Sequence, residues 1–180
     1  MANQTKTGVT VLLTGFSGAG KSTIASALVQ LLESPAHERK PFLLDGDVVR
    51  KMQSVGLGFS KEDRNTHIRR VGALAAEHTA NGEFVVCAVI APYDDVRKEV
   101  RRMVESEGRF LLVLVDTPLA VCEKRDPKGL YAKARAGVIE HFTGVSDPYE
   151  VPTDAELAID TTQTPPEEAA RKILEYLAST

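Results

Sequence analysis

Cysteine is scarce in this chain. The two present, Cys87 and Cys122, stand in no CxxC pair, which excludes a disulfide framework and a zinc knuckle. Long apolar runs are missing as well: the longest, Phe84 to Ala91, is far too short to span a bilayer. Met1–Lys6 holds no hydrophobic stretch of the kind a signal peptide needs. Basic charge is not in excess either. A formal net charge of −3 argues against a general nucleic-acid binder, although local basic clusters can still hold a small anion. His37, His78 and His141 show no metal-ligand spacing, and no repeat or low-complexity tract is visible. What remains is ordinary. Hydrophobic residues at 43% and charged residues at 26% fit a globular chain rather than a disordered one. The 180 residues suffice for one domain with a sizeable core and a small mobile insertion. A single soluble, cytoplasmic domain over 1–180 is the expectation.

Apolar runs at Val9–Thr14, Phe42–Asp45, Phe84–Ile90 and Phe110–Val115, with a weaker one at Leu157–Asp160, are continuous rather than alternating. That is the pattern of strands buried on both faces of a parallel sheet. Between them lie helical stripes: Ile24, Leu28, Leu31 and Leu32; Ile68, Val71, Leu74 and Ala75; Val96, Val100 and Met103; Ala169, Ile173, Leu174 and Leu177. Pro118 and Pro166 sit where helices can begin. Strand and helix alternating in this way predict right-handed βαβ units and an α/β doubly wound, three-layer sheet, mostly parallel. Residues 126–152 break the alternation, with three glycines, three prolines, Lys128, Lys133 and Arg135. Such a stretch is either a solvated surface excursion or a mobile basic lid over a polyanionic ligand. Cys87, inside a buried-strand pattern, is expected in the core.

The strongest motif is Gly15-Phe-Ser-Gly-Ala-Gly-Lys21-Ser22, which satisfies G-x-x-x-x-G-K-[ST] between a predicted strand end and a predicted helix start. Glycines permit a loop whose amide N–H groups face phosphate oxygens, and the helix N-terminus adds partial positive charge. Lys21 can then reach the β- and γ-phosphates while the Ser22 hydroxyl ligates Mg²⁺. The chain is thus a P-loop nucleotide binder by sequence. No N/T-K-x-D motif is present to read guanine, which favours ATP. At the end of the second predicted strand stands Leu43-Leu44-Asp45-Gly46-Asp47. Ligands of open α/β sheets bind at carboxyl strand ends, so both aspartates should face the phosphates. Asp45 is placed to ligate Mg²⁺ or to accept a proton from an acceptor hydroxyl. Asp47 N-caps the next helix, binds ligand, or does both.

Further blocks carry a resemblance: Leu44-Asp45-Gly46-Asp47-x-x-Arg50, Gly56-Leu57-Gly58-Phe59-Ser60-x-Glu62-Asp63-Arg64, Arg69-Arg70, Asp116-Thr117-Pro118, Arg125-Asp126-Pro127-Lys128-Gly129-Leu130-Tyr131, Ala134-Arg135-Ala136-Gly137, Phe142-Thr143-Gly144 and Pro148-Tyr149-Glu150. Together with the P-loop (15–22), these resemble the adenylylsulfate kinase family, in order and over nearly the whole chain. The resemblance implies transfer of the ATP γ-phosphoryl group to the 3′-hydroxyl of adenosine 5′-phosphosulfate, giving 3′-phosphoadenosine 5′-phosphosulfate for sulfate assimilation. It also implies Mg²⁺ dependence, a homodimer and a functional link to an ATP sulfurylase. The expected catalytic residues are Lys21, Asp45 and Asp47. ATP binding is expected from Gly15, Ser17, Gly18, Ala19, Gly20, Lys21, Ser22, Thr23 and Arg125, and metal ligation from Ser22 and Asp45.

For the acceptor, the resemblance implies Arg50 and Arg64 on the phosphosulfate arm, where guanidinium forks suit oxyanions. Phe59 and Phe142 match aromatic residues that sandwich the acceptor adenine. Both lie in Gly-rich segments where a packed core face is not expected. Lys128 and Ile90, the latter through its backbone, match further acceptor contacts, and Asp47, His67, Ala91 and His141 complete the set. Three positions depart from the family pattern. Ala91 stands where many members have a phosphorylatable serine, His67 where asparagine is usual, and Val48 where asparagine is common. His67 either touches the phosphosulfate arm or lies on the exposed face of the helix carrying Ile68 and Val71. Two other readings stay open: a kinase for another small hydroxyl metabolite, and a nucleotide-binding regulatory domain without turnover. Intact Lys21, Ser22, Asp45 and Asp47 argue against the second.

Overall fold

The computed structural model describes residues 7–37 and 40–180, so the reading of Met1–Lys6 lies outside the described residues. Five strands, β1 (Val9–Thr14), β2 (Phe42–Asp45), β3 (Phe84–Ala88), β4 (Arg109–Val115) and β5 (Leu157–Ile159), form one all-parallel sheet in the order β2-β3-β1-β4-β5. Val9 pairs with Phe84 on one side and Arg109 on the other, so the strand that feeds the P-loop is central. Side chains of the strands alternate between two cores. Val9, Val11, Leu13, Phe84, Val86 and Ala88 face α1 (Lys21–Glu33) and α7 (Pro166–Ser179). Leu12, Val85, Cys87 and Leu112 face α3 (Lys61–Ala80) and α4 (Asp94–Glu105). The result is the expected three layers, helices over both faces of a sheet. No helix of the described residues is long and apolar enough to cross a membrane.

Several boundaries differ from the sequence reading. β3 stops at Ala88 rather than Ile90, because Ala91 takes a left-handed backbone (φ 44°) and Pro92 has no N–H for a ladder. β5 ends one residue early, at Ile159. Burial on both faces holds for β1 and β3 but not for the edge strands, where Leu43 is 43% exposed and Ala158 is exposed. In α4 the buried stripe runs through Val96, Val100 and Val104, with Met103 only half-buried. Pro118 caps α5 (Leu119–Arg125) and Pro166 opens α7, as their positions suggested. Residues 126–152 are not a solvated excursion. They carry α6 (Leu130–Arg135), and Tyr131, Ala134, Phe142 and Thr143 are buried, three of them in the core shared with α1 and α7.

Candidate active site

The carboxyl ends of the strands gather the chemistry, as open α/β sheets do. After β1 the chain turns through Gly18 and Gly20, whose φ of 76° and 105° lie where a side chain is disfavoured, into α1. The loop is held from behind: the Ala19 carbonyl accepts hydrogen bonds from Thr117 Oγ1 (2.9 Å) and Thr161 Oγ1 (2.8 Å). Lys21 is buried and donates to the Gly15 and Phe16 carbonyls at 2.9 and 2.7 Å. Burial lowers its pKa to about 8, so the ammonium still carries its charge at neutral pH.

Asp45 ends β2. One carboxylate oxygen accepts from Ser22 Oγ at 2.9 Å, and the other caps α2 (Gly46–Gln53) by accepting from the Asp47 N–H at 3.0 Å. Asp45, not Asp47, is therefore the N-cap. The carboxylate of Asp47 is left to point across the cleft, where it pairs with Lys128 of the 126–152 segment. Among the described residues no three His, Cys, Asp or Glu side chains converge as a self-sufficient metal cage. The Ser22 hydroxyl and Asp45 carboxylate nonetheless fit Mg²⁺, a cation that takes one or two protein oxygens and fills its remaining positions with water and phosphate.

One cleft of about 630 Å³ brings most of the expected residues together. At its phosphate end are Ser17, Gly18, Gly20, Lys21, Ser22, Thr23, Asp45, Asp47 and Arg125. At the other are Arg50, Phe59, Arg64, His67, Ile90, Ala91, Lys128 and Phe142. Gly15, Ala19 and His141 do not line it. His141 instead holds a left-handed backbone (φ 55°), and its carbonyl accepts from Arg64. Arg125 bonds Thr161 Oγ1 (2.8 Å) and the Gly18 carbonyl (3.3 Å) at the rim of the loop.

The acceptor end is strongly cationic and partly dry. Arg64 is buried, bonded to the Phe59 carbonyl (2.8 Å) and Thr143 Oγ1 (3.0 Å). Burial lowers the pKa of both Arg50 and Arg64, with Asp63 and Asp147 respectively opposing the effect, and both remain charged. The Arg50 and Arg64 guanidinium carbons lie 4.5 and 5.6 Å from the centre of the Phe59 ring, which is half exposed. Phe142 differs from expectation. It is buried and packs edge-on against Tyr131, centroids 4.9 Å apart, because the turn around Gly144 folds inward instead of standing in solvent. His67 is not on an exposed face; it is buried with Nδ1 at 2.9 Å from Ser54 Oγ, and burial beside Arg50 lowers its pKa to about 4. Thr143, Thr161 and Tyr149 were not singled out as site residues. Thr143 and Tyr149 lay inside the quoted blocks, whereas Thr161 offered no local signal.

The sequence model for adenylylsulphate kinase matches residues 7–160. The chain belongs to the adenylylsulfate kinase family. It is an ATP-dependent kinase of the P-loop fold, as the cradle and sheet order already indicated. The adenylyl-sulfate kinase of Rippkaea orientalis is 51% identical over 170 residues, covering 94% of this chain and 91% of that one. Among solved structures, the Mycobacterium tuberculosis APS kinase in complex with AMPPNP and APS superposes with a TM-score of 0.90 at 38% identity, over 95% of this chain and 98% of that one. A hexameric APS kinase from Thiobacillus denitrificans gives a TM-score of 0.72 at 40% identity, covering 97% of this chain and 29% of that one.

Proposed function

We propose that this adenylylsulfate kinase-family chain transfers the γ-phosphoryl group of ATP to the 3′-hydroxyl of adenosine 5′-phosphosulfate, yielding 3′-phosphoadenosine 5′-phosphosulfate and ADP. The observation that carries the reading is the continuity of one cleft, from the P-loop and Lys21 to two arginines and an exposed phenylalanine. In this reading Lys21 and the loop amides of Gly15–Thr23 hold the phosphates, and Arg125 covers the ATP base. When bound between Ser22 and Asp45, Mg²⁺ adds charge neutralisation on the phosphates. Asp47 accepts the 3′-hydroxyl proton. Arg50, Arg64 and Lys128 take the phosphosulfate arm, with His141 acting through its carbonyl on Arg64. Phe59 faces the acceptor adenine, Phe142 backs that end of the cleft from the core, and His67, Ile90 and Ala91 shape the floor beneath it. Catalysis then rests on positioning and electrostatic stabilisation.

The same reading makes 1–180 one domain with residues 126–152 as its lid. It also places the enzyme in the cytoplasm in functional linkage with an ATP sulfurylase. The same reading includes self-association as a homodimer; the Thiobacillus denitrificans relative, a much longer chain, is hexameric. Light scattering at several protein concentrations tests it, a constant monomer mass refuting it. The reaction is tested by coupled ADP release with adenylylsulfate set against a panel of nucleosides and sugars. Turnover confined to adenylylsulfate supports the assignment, and turnover with another acceptor alone overturns it. Because Ala91 is a methyl group where a phosphorylated serine would need a hydroxyl, transfer should be direct and in line. Incubation with γ-labelled ATP and denaturing mass spectrometry should find no covalent phosphate on residues 90–93.

A further inference from the structure

Arg97 is among the largest fully buried side chains of the protein, yet it is neither in the cleft nor in the core proper. A buried guanidinium is expensive unless neutralised. Among the described residues its carboxylate partner is Asp94, at 3.3 Å, and Nε finds no hydrogen-bond partner. Its two short bonds go to backbone carbonyls, Nη1 to Ala91 (2.7 Å) and Nη2 to Glu150 (2.6 Å). Carbonyls do not cancel a charge. Had this position needed only filling, an apolar side chain would have done so at less cost.

What the two carbonyls belong to explains the expense. Ala91 is a non-glycine residue held at φ 44°, directly before Pro92, whose ring restricts it further, and it lines the cleft beside Ile90. Glu150 lies at the far end of the 126–152 segment. Its N–H donates to the Pro92 carbonyl (2.8 Å), and its carboxylate accepts from the Asp94 N–H (2.6 Å). The Arg97 guanidinium also lies 5.8 Å from the centre of the Tyr149 ring. The Tyr149 hydroxyl meets Thr14 Oγ1 at 2.9 Å, and Thr14 Oγ1 donates to the Ile90 carbonyl at 2.6 Å. One web thus joins the residue preceding the P-loop, the loop after β3 and the end of the lid segment.

We propose that Arg97 is a positioning residue for the acceptor: its fork clamps the Ala91 and Glu150 carbonyls and thereby holds the loop after β3 in the left-handed turn that shapes the acceptor floor. The proposal rests on the reaction assigned above. Lysine at this position cannot reach both carbonyls with a planar fork. Arg97→Lys should raise the KM for adenylylsulfate about tenfold, the scale of a small displacement remote from the reacting atoms, while the KM for ATP stays within about twofold.

The decisive arm is rescue. Glycine adopts a positive φ without a clamp, so adding Ala91→Gly to Arg97→Lys should recover most of the lost acceptor KM. An unchanged acceptor KM in Arg97→Lys, equal damage to both substrates alongside a lower melting temperature, or no recovery with Ala91→Gly would each overturn the proposal. Should Arg97→Lys not accumulate as folded protein, Tyr149→Phe removes a hydroxyl from the same web without touching the guanidinium. It must raise the acceptor KM selectively, and failure to do so counts equally against the clamp. Wild-type turnover with adenylylsulfate is measured first, since its absence refutes the reaction and not the clamp. Amide hydrogen exchange at Val89, Ile90, Ala91 and Tyr93 and at Tyr149, Glu150 and Val151 must quicken in Arg97→Lys whatever the acceptor is, and unchanged exchange there refutes the clamp by itself.

Discussion

Lys21 shows how a single side chain carries opposing demands. It is buried, which lowers its pKa to about 8, and its ammonium is bonded to two carbonyls of its own loop. Phosphate binding requires the protonated form, so ATP affinity should be flat below pH 8 and fall as the pH rises above it. Titrations between pH 6.5 and 9.5 check this, and an affinity that does not bend near pH 8 contradicts it. In the ligand-free protein the sign for stability is opposite. The unfolded chain, with its ordinary lysine pKa of 10.5, binds more protons between 8 and 10.5, so this group's contribution to stability rises with pH there. Lys21→Ala should lower kcat by about 10²–10³-fold, read by ADP release, with the fold retained in circular dichroism. His67 behaves as a neutral, buried polar group. Its folded pKa of about 4 lies below the ordinary histidine value of 6.5, so the stability it contributes is present above pH 6.5 and lost as the pH falls towards 4. His67→Asn should keep acceptor turnover and weaken that acid sensitivity. His67→Leu should cost about 1–3 kcal/mol, because Ser54 Oγ is buried with the imidazole as its partner. Urea melts at pH 7 and pH 5 separate the two variants.

At the level of elements, the segment after α5 does two jobs at once. Its helix α6 and the turn through Phe142–Asp147 bury Tyr131, Ala134 and Phe142 against the α1 and α7 side of the sheet, while Lys128 reaches back over the cleft to Asp47. The two phenylalanines at the acceptor end should therefore separate experimentally. Phe142→Ala should destabilise the protein by about 3–5 kcal/mol as a core truncation, lowering affinity for both nucleotides through the fold. Phe59→Ala, at a half-exposed ring flanked by Arg50 and Arg64, should leave the melting temperature unchanged. It should weaken adenylylsulfate binding about tenfold. Calorimetric melts with separate titrations of ATP and adenylylsulfate decide this; a stability loss in Phe59→Ala, or none in Phe142→Ala, would contradict it. At the start of α3, Ser60 accepts from the Asp63 N–H as N-cap, a role the sequence reading did not assign. At α2 the sequence left Asp47 open as cap, ligand group or both, and the cap is Asp45; the two are the same residue type two positions apart, and only the backbone distinguishes cap from ligand.

For the whole molecule, the parallel sheet converges the P-loop, Asp45, the loop after β3 and Thr117 and Thr161 on one edge, so ligands there bind the folded state only. At a ligand concentration about a hundredfold above Kd, ATP with Mg²⁺ should stabilise by about 2.7 kcal/mol, or roughly 5–10 °C in a domain of this size. Adenylylsulfate should add to that shift, and Lys21→Ala should abolish the ATP part; a melt indifferent to ATP would contradict the cradle. The alternation of apolar runs and helical stripes, the P-loop and its neighbouring aspartates were determined by the sequence itself. Each is a local matter, in which a few consecutive residues set backbone conformation, strand burial or an anion-binding turn. The burial of Phe142 and His67 and the reach of Arg97 from α4 to Ala91 and Glu150 were decided only by tertiary structure. These depend on contacts between residues far apart in the chain, and a side chain's solvation, pKa and partners are properties of its neighbours in space, which no local pattern encodes.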